Sequence, residues 1–226
     1  MAKSFFPKLY DLVRAYAHYD PATKSKLEIL FLYPGVKAWI AHSIAHTLYL
    51  WNVPFLPRMI SDCSRFWTGI DIHPGAQLGE RVIMDHGMGI VIGETAIVGN
   101  DVLIYQGVTL GGTSLERVKR HPTIESHCVI GAGAKILGNI VIGQGSRVGA
   151  NSVVIKGVPA GSTVVGIPAK IVEHMPVTEG HELEHNKLLD PNAARMQELE
   201  ARMAALEKAL TSSANPIDGF EGQTTK

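Results

Sequence analysis

Residues 124–154, IESHCVIGAGAKILGNIVIGQGSRVGANSVV, place an aliphatic side chain at every sixth position: Ile124, Ile130, Ile136, Ile142, Val148 and Val154. An earlier run keeps the same beat through Ile92, Val98, Ile104 and Leu110. A strand repeats every two residues and a helix every 3.6, so neither holds a register of six. A fixed six-residue beat is the signature of a parallel β-helix, in which each hexapeptide forms one short side of a coil. Two positions before the beat stands a mostly small or apolar residue: Ala96, Val102, Val108, Cys128, Ala134, Ile140, Ser146 and Ser152. One position after it Gly recurs, at Gly93, Gly99, Gly111, Gly131, Gly143 and Gly149. The beat residues are expected to stack inward, and the glycines to turn corners through positive φ. Three hexapeptides close a triangular coil, so Ile70 to about Val165 makes roughly five coils.

The beat breaks twice. Between Leu78 and Ile92 it slips by two residues, across Met84-Asp85-His86-Gly87-Met88. Between Gly112 and Pro122 it stops, and Thr113 to His121 reads as an exposed loop. Insertions in a solenoid map to one face, often the binding face, and both breaks carry histidine and charge.

The flanks have other textures. In residues 1–69, apolar residues recur at helical spacing (Leu9, Leu12, Val13; Ile29, Leu30, Leu32; Ile40, Ile44, Leu48), with breaks at Asp20-Pro21, Tyr33-Pro34-Gly35 and Val53-Pro54. About four helices are expected, closing one end of the coil. In residues 173–226, Met196, Leu199, Met203, Leu206 and Leu210 follow 3-4-3-4 spacing, a short a/d seam able to join subunits already held together elsewhere. Beyond Thr211 the chain is polar and expected to lack order. The fold class is therefore α+β: an N-terminal helical cap (1–69), a parallel β-helix domain (70–172), and a tail with a short helix (173–226).

The 226 residues carry a formal net charge of +0, which gives no broad field towards nucleic acid. There is no secretory signal and no apolar run of bilayer length, so a cytoplasmic protein without membrane contact is expected. Cys63 and Cys128 are the two cysteines, Cys128 on an inward small position and Cys63 in a helical stretch, and packing roles are expected for both.

Several residues could do chemistry. Asp71 opens the repeats and Asp85-His86-Gly87 lies in the slip, 14 residues on from Asp71 to Asp85. That separation reads as one shortened coil, which would make Asp71 and His86 neighbours: a carboxylate fixing the tautomer of a general base. The same residues equally suit a turn cap and a corner. Arg120-His121 suits a carboxylate ligand, although Arg117, Lys119 and Arg120 also read as a solvated basic run. Asp20-Pro21 has a sufficient structural account as a helix N-cap with Pro at the first position. His42 and His46 lie one helical turn apart without an evident third ligand, which favours packing.

Taken together, Asp20-Pro21-Ala22, Asp71-Ile72-His73-Pro74, Asp85-His86-Gly87, Gly93-Glu94-Thr95, Thr109-Leu110-Gly111-Gly112-Thr113, Arg120-His121-Pro122, Gly131 to Gly138 and Gly166-Ile167-Pro168-Ala169-Lys170 resemble the serine O-acetyltransferases, hexapeptide-repeat acyltransferases. The resemblance spans about residues 10–175 and implies a left-handed β-helix. It implies His86 as general base, Asp71 as its orienting acid, Asp20 and Asp85 on the substrate ammonium, and Arg120 and His121 on its carboxylate. It implies the Gly112 backbone N–H at the oxyanion, acetyl-CoA along the groove between neighbouring solenoids near Thr113, Ala132 and Ala150, and Lys170 at the nucleotide phosphate. The partners implied are L-serine and acetyl-CoA as co-substrate with no tightly bound cofactor, cysteine as feedback inhibitor, and a homotrimer that can pair into a dimer of trimers. Family members dock into cysteine synthase through a C-terminal isoleucine, whereas this chain ends Gln223-Thr224-Thr225-Lys226, so that partnership is not expected. Three rivals remain: transfer to homoserine or a sugar hydroxyl, a zinc site of His86, His121 and His127 as in γ-class carbonic anhydrases, and a non-catalytic solenoid serving as a trimeric spacer. No metal is expected, because Arg120 beside a ligand would repel the cation.

Overall fold

A computed structural model of the chain describes residues 4–174 and 193–213. The first 188 residues form one compact unit and the C-terminal segment another. Four N-terminal helices appear, α1 (Phe5–Tyr19), α2 (Lys26–Leu32), α3 (Pro34–Leu50) and α4 (Leu56–Thr68). The predicted breaks fall at their junctions, with Pro34-Gly35 forming the first two residues of α3. One local reading needs correction. Asp20 is not an N-cap: it closes α1, and Ser25 caps α2 by accepting the Glu28 N–H. Ser25 with Glu28 three residues later is the stronger capping pair, because both side chains serve exposed N–H groups.

From Asp71 the chain winds through short strands that stack into three parallel sheets. The beat residues point inward as expected: Ile92, Ile104, Leu110, Ile124, Ile130, Ile136 and Ile142 are each no more than 1 % exposed. Each such side chain contributes about 1.5–3 kcal/mol by leaving water. The small positions are also inside, and where they are polar they are bonded: Ser146 donates to the Pro159 carbonyl at 2.8 Å. Helices α1 and α3 pack on the strand Ile83–Met84, and α4 on Asp71–Ile72, so the helices sit on the first coil.

The glycines after the beat do not turn corners by positive φ. None of the six uses the left-handed region, which falls instead to residues such as Gly107, Gly133, Arg81, Asp101, His127 and Asn151. Those glycines are where coils touch most closely. A Cβ on Gly99 would meet the Ser126 nitrogen at 2.7 Å, and one on Gly143 the Ala160 nitrogen at 2.4 Å.

Register also corrects the spacing argument. Asp71 pairs with Val91, twenty positions on, so the slip lengthens the first coil rather than shortening it. Asp85 is therefore not one coil above Asp71; its backbone N–H bonds the Ile104 carbonyl on a different sheet. The long loop enlarges its coil further, with Thr109 paired to Lys135. Helix α5 (Ala193–Ser213) carries the predicted seam and is longer than a short helix. The residues beyond Ser213, including Gln223–Lys226, lie outside the described residues.

Candidate active site

The first cluster forms where the chain leaves the third sheet of the opening coil. Buried Tyr16 on α1 donates its hydroxyl to the Met84 carbonyl (3.0 Å) and accepts the Met84 N–H (2.9 Å). This contact requires Gly35, where a Cβ would lie 2.1 Å from the Tyr16 oxygen and 2.5 Å from the Met84 oxygen. The lock sets the end of α1 and the start of α3 beside Asp85.

Asp85 is then held from two sides. Its Oδ2 accepts the Tyr19 hydroxyl at 3.1 Å, and its Oδ1 the His86 backbone N–H at 3.0 Å. The Tyr19 hydroxyl is also 2.8 Å from that of Tyr105, which occupies the equivalent corner of the next coil. Tyr19 has one proton, so when it serves Asp85, the Tyr105 proton serves Tyr19. Burial, then these two neighbours, raise the Tyr19 pKa, so it remains a neutral donor. Asp20 accepts the Tyr33 hydroxyl on Oδ2 and the Ala22 N–H on Oδ1 (2.8 Å). Those bonds, with a smaller contribution from the nearby His86, hold its pKa below the ordinary carboxylate value.

His86 has φ 56°, left-handed backbone that is uncommon away from glycine. The slip maintains it: the Gly87 N–H bonds the Asp85 carbonyl (2.6 Å) and the Met88 N–H the His86 carbonyl (3.0 Å). The ring is consequently exposed, with Nε2 3.8 Å from Asp85 Oδ2. Asp20, Asp85 and His86 thus come together in one chain.

The second cluster forms at another corner, around Thr95. Its Oγ1 accepts the backbone N–H groups of Arg120 (3.0 Å) and His121 (3.1 Å), while its own N–H donates to His121 Nδ1 (3.2 Å). A ring nitrogen that accepts an N–H carries no proton, so the neutral imidazole keeps its proton on Nε2. Burial, then the Arg120 charge, push the His121 pKa down and favour this neutral form. Gly93 makes the space, since a Cβ there would be 2.0 Å from His121 Cδ2, and Nε2 faces Gly112, 3.1 Å from where its Cβ would be. Arg120 Nη2 donates to Glu94 at 2.5 Å. Burial alone would raise the Glu94 pKa; the Arg120 bond and neighbouring His73 outweigh it and keep the carboxylate charged.

Asp71 belongs with this second cluster. It acts electrostatically on His73, whose Nδ1 accepts the Gly75 N–H at 3.0 Å. Among the described residues of one chain, no hydrogen bond or ion pair joins Asp71 to His86. Ala132 and Ala150 occupy the corner that bears His86, two and three coils further along. At a strand spacing of about 4.8 Å this puts them roughly 10 and 14 Å away along the axis. Gly112 and Thr113 open the loop at the corner of Arg120, and exposed Lys170 lies on the closing strand Ala169–His174.

Sequence reasoning missed the positioning residues Tyr19, Tyr33, Tyr105, Glu94 and Thr95. The motif Gly93-Glu94-Thr95 was the one signal available for two of them. The histidine triad for zinc does not assemble within the chain: no three His, Cys, Asp or Glu side chains converge to hold a metal among the described residues. His42 is buried and pushed down to about 3, chiefly by burial, and His46 donates Nδ1–H to the Pro74 carbonyl at 2.7 Å, both packing roles. Cys128 is buried, and burial pushes its thiol up to about 12, whereas Cys63 is exposed rather than packed, because it lies on the outward face of α4. No helix among the described residues is long and apolar enough to cross a membrane.

Comparison with known proteins bears on this geometry. Residues 121–156 match the family described as bacterial transferase hexapeptide (six repeats). A serine acetyltransferase of Synechocystis sp. is 55 % identical over 193 residues, covering 85 % of this chain and 77 % of the relative. Among solved structures, a serine acetyltransferase in complex with cysteine superposes with a TM-score of 0.74 at 40 % identity, covering 76 % of this chain and 67 % of that one. The Brucella abortus serine acetyltransferase in complex with coenzyme A gives 0.73 at 41 % identity, covering 76 % and 69 %.

Proposed function

The chain belongs to the serine acetyltransferase family, and from that membership we propose how its two residue clusters work together. The protein transfers acetyl from acetyl-CoA to the hydroxyl of L-serine, giving O-acetyl-L-serine and CoA. In our reading the active crevice lies between two protomers of a homotrimer. One protomer supplies Asp20, Asp85 and His86; its neighbour supplies Arg120, His121 and Asp71. In this reading the chain divides into a helical cap (1–69) that carries Asp20 over the first coil, a left-handed coil (70–172) and a tail (173–226).

The observation that carries the reading is the complementarity of the clusters. One gathers two carboxylates, each oriented by a tyrosine hydroxyl, which suits an ammonium. The other offers a guanidinium and a neutral imidazole Nε2–H, both donors, which suits a carboxylate. A zwitterion bridging them brings its hydroxyl to the exposed His86 ring. A serine hydroxyl is a weak nucleophile at neutral pH, and a base in hydrogen-bond reach contributes roughly 10²–10⁴-fold. His86 takes the hydroxyl proton as the oxygen attacks the thioester carbon. The Gly112 N–H meets the oxyanion, and collapse expels the CoA thiolate, to which His86 returns the proton. Asp71 holds the His86 tautomer across the interface. Acetyl-CoA, a substrate and not a resident cofactor, runs along the groove between neighbouring solenoids, past Thr113 on one protomer and Ala132 and Ala150 on the next, towards Lys170. Cysteine, with the same ammonium and carboxylate, occupies the serine place and inhibits.

A neutral sugar would leave both clusters unmatched, so serine is favoured over that rival. The test is release of CoA thiol from acetyl-CoA with L-serine, homoserine or a galactoside. His86→Ala is expected to lower serine-dependent turnover by about 10²–10⁴-fold with the assembly unchanged. Near-normal turnover would remove His86 from the reaction.

A further inference from the structure

Helix α5 belongs to the second compact unit of the chain, and none of its residues is assigned to acetyl transfer. Met196, Leu199, Met203, Leu206 and Leu210 occupy successive a and d positions, yet all five are open to solvent, from 48 % exposed at Leu199 to 68 % at Leu210. An apolar stripe of 3.5-residue period exposed along a helix is the pattern of a coiled-coil seam.

The charges beside the seam say what that partner is. With Met196 and Met203 at a, Arg202 falls at g, and Glu200 and Glu207 fall at e. In a parallel pair, a g residue faces the e residue five positions on in the partner helix, so Arg202 of one copy meets Glu207 of the other. In an antiparallel pair g faces g and e faces e, which sets arginine against arginine and glutamate against glutamate. The pattern is self-complementary in one orientation and repulsive in the other.

We propose that α5 is a docking surface for other copies of itself, forming a parallel, in-register coiled coil. Within a single copy Arg202 bonds Glu198 at 2.7 Å. That pair is exposed and worth little, so it does not compete seriously with an interface that also covers five apolar side chains. Three heptads are short for a free peptide, but copies tethered to one assembled enzyme meet at high effective concentration, which short linkers raise to the millimolar range. The seam therefore acts as a clamp on an assembly formed elsewhere, and brings the C-terminal ends of the subunits together.

The test uses the full-length chain in a Cys63→Ser background, since Cys63 is the exposed thiol. Leu206→Cys places a thiol at d, where parallel in-register helices bring Cα atoms within disulfide range. Ala201→Cys places one at f, on the outer face. Under mild oxidation, Leu206→Cys is expected to give disulfide-linked dimers at least about tenfold faster than Ala201→Cys. Adding Arg202→Glu should abolish that advantage, and Arg202→Glu with Glu207→Arg should restore it. Equal cross-linking at the two positions would overturn the proposal, as would an advantage at position 206 that ignores the charge reversal. Acetyl transfer need not be measured, so this outcome is independent of the catalytic assignment.

Discussion

Replacing Gly93 by alanine adds a single methyl group and no charge, yet it should cripple serine recognition. The backbone can accept it, because Gly93 does not use left-handed φ. The obstacle is the His121 ring. The new Cβ would lie 2.0 Å from Cδ2 and 2.1 Å from Nε2, so the ring must retreat by about 1.5 Å to reach ordinary contact. A retreat of that size breaks the bond from Thr95 N–H to Nδ1, at 3.2 Å, and with it the preference for a proton on Nε2. A hydrogen bond to a charged group is worth about 1.5–3 kcal/mol, so kcat/KM for serine should fall about 10- to 150-fold. KM for acetyl-CoA should barely move. The assay is CoA release at varied serine, on Gly93→Ala, His121→Ala and the double variant. If the methyl acts through the ring, the double variant behaves like His121→Ala alone, because the clash has lost its object. Losses that multiply, or an unchanged serine KM in Gly93→Ala, would refute the reasoning.

Other perturbations separate recognition from stability. Tyr33→Phe removes the hydroxyl that lowers the Asp20 pKa, so the acid limb of kcat/KM for serine should move to higher pH and serine KM rise several-fold, with kcat less affected; pH-rate profiles check this. His42 is 6 % exposed with its pKa pushed down to about 3, so below about pH 6.5 the unfolded chain binds a proton that the folded chain refuses. Stability should consequently fall as pH drops from about 6.5 to 3, by up to about 1.4 kcal/mol per pH unit, and His42→Phe should flatten that slope in denaturant titrations. Ile136→Ala deletes a side chain at 0 % exposure and should cost about 2–5 kcal/mol by the same titration, while leaving serine KM nearly untouched.

What the sequence disclosed and what it concealed follow from one physical distinction. The beat from Ile92 to Val154 was legible because a stacked core repeats its demand at every corner, and a repeated demand leaves a period. The glycines after the beat were legible as positions but misread as to cause: at Gly99, Gly131 and Gly143 an added Cβ would lie 2.4–2.9 Å from the neighbouring coil's backbone, and that neighbour is not local in the chain. Asp20-Pro21 matched an N-cap because a local rule was applied to a residue whose principal partner, Tyr33, lies thirteen positions on. Tyr19 and Tyr105 left no trace, since a lone aromatic in a helix or corner has no period and their contacts span 66 and 86 residues. A regular coil gives equivalent positions equivalent surroundings, and equivalent surroundings cannot make an acid of one residue and a base of another. Chemistry therefore has to enter where the repeat is broken. The two-residue slip bends His86 into the left-handed region and turns its ring outward; the loop returns Arg120 and His121 onto Thr95. The same breaks that could be located from sequence are where side chains escape the lattice, and their long-range partners are what only the folded chain could supply.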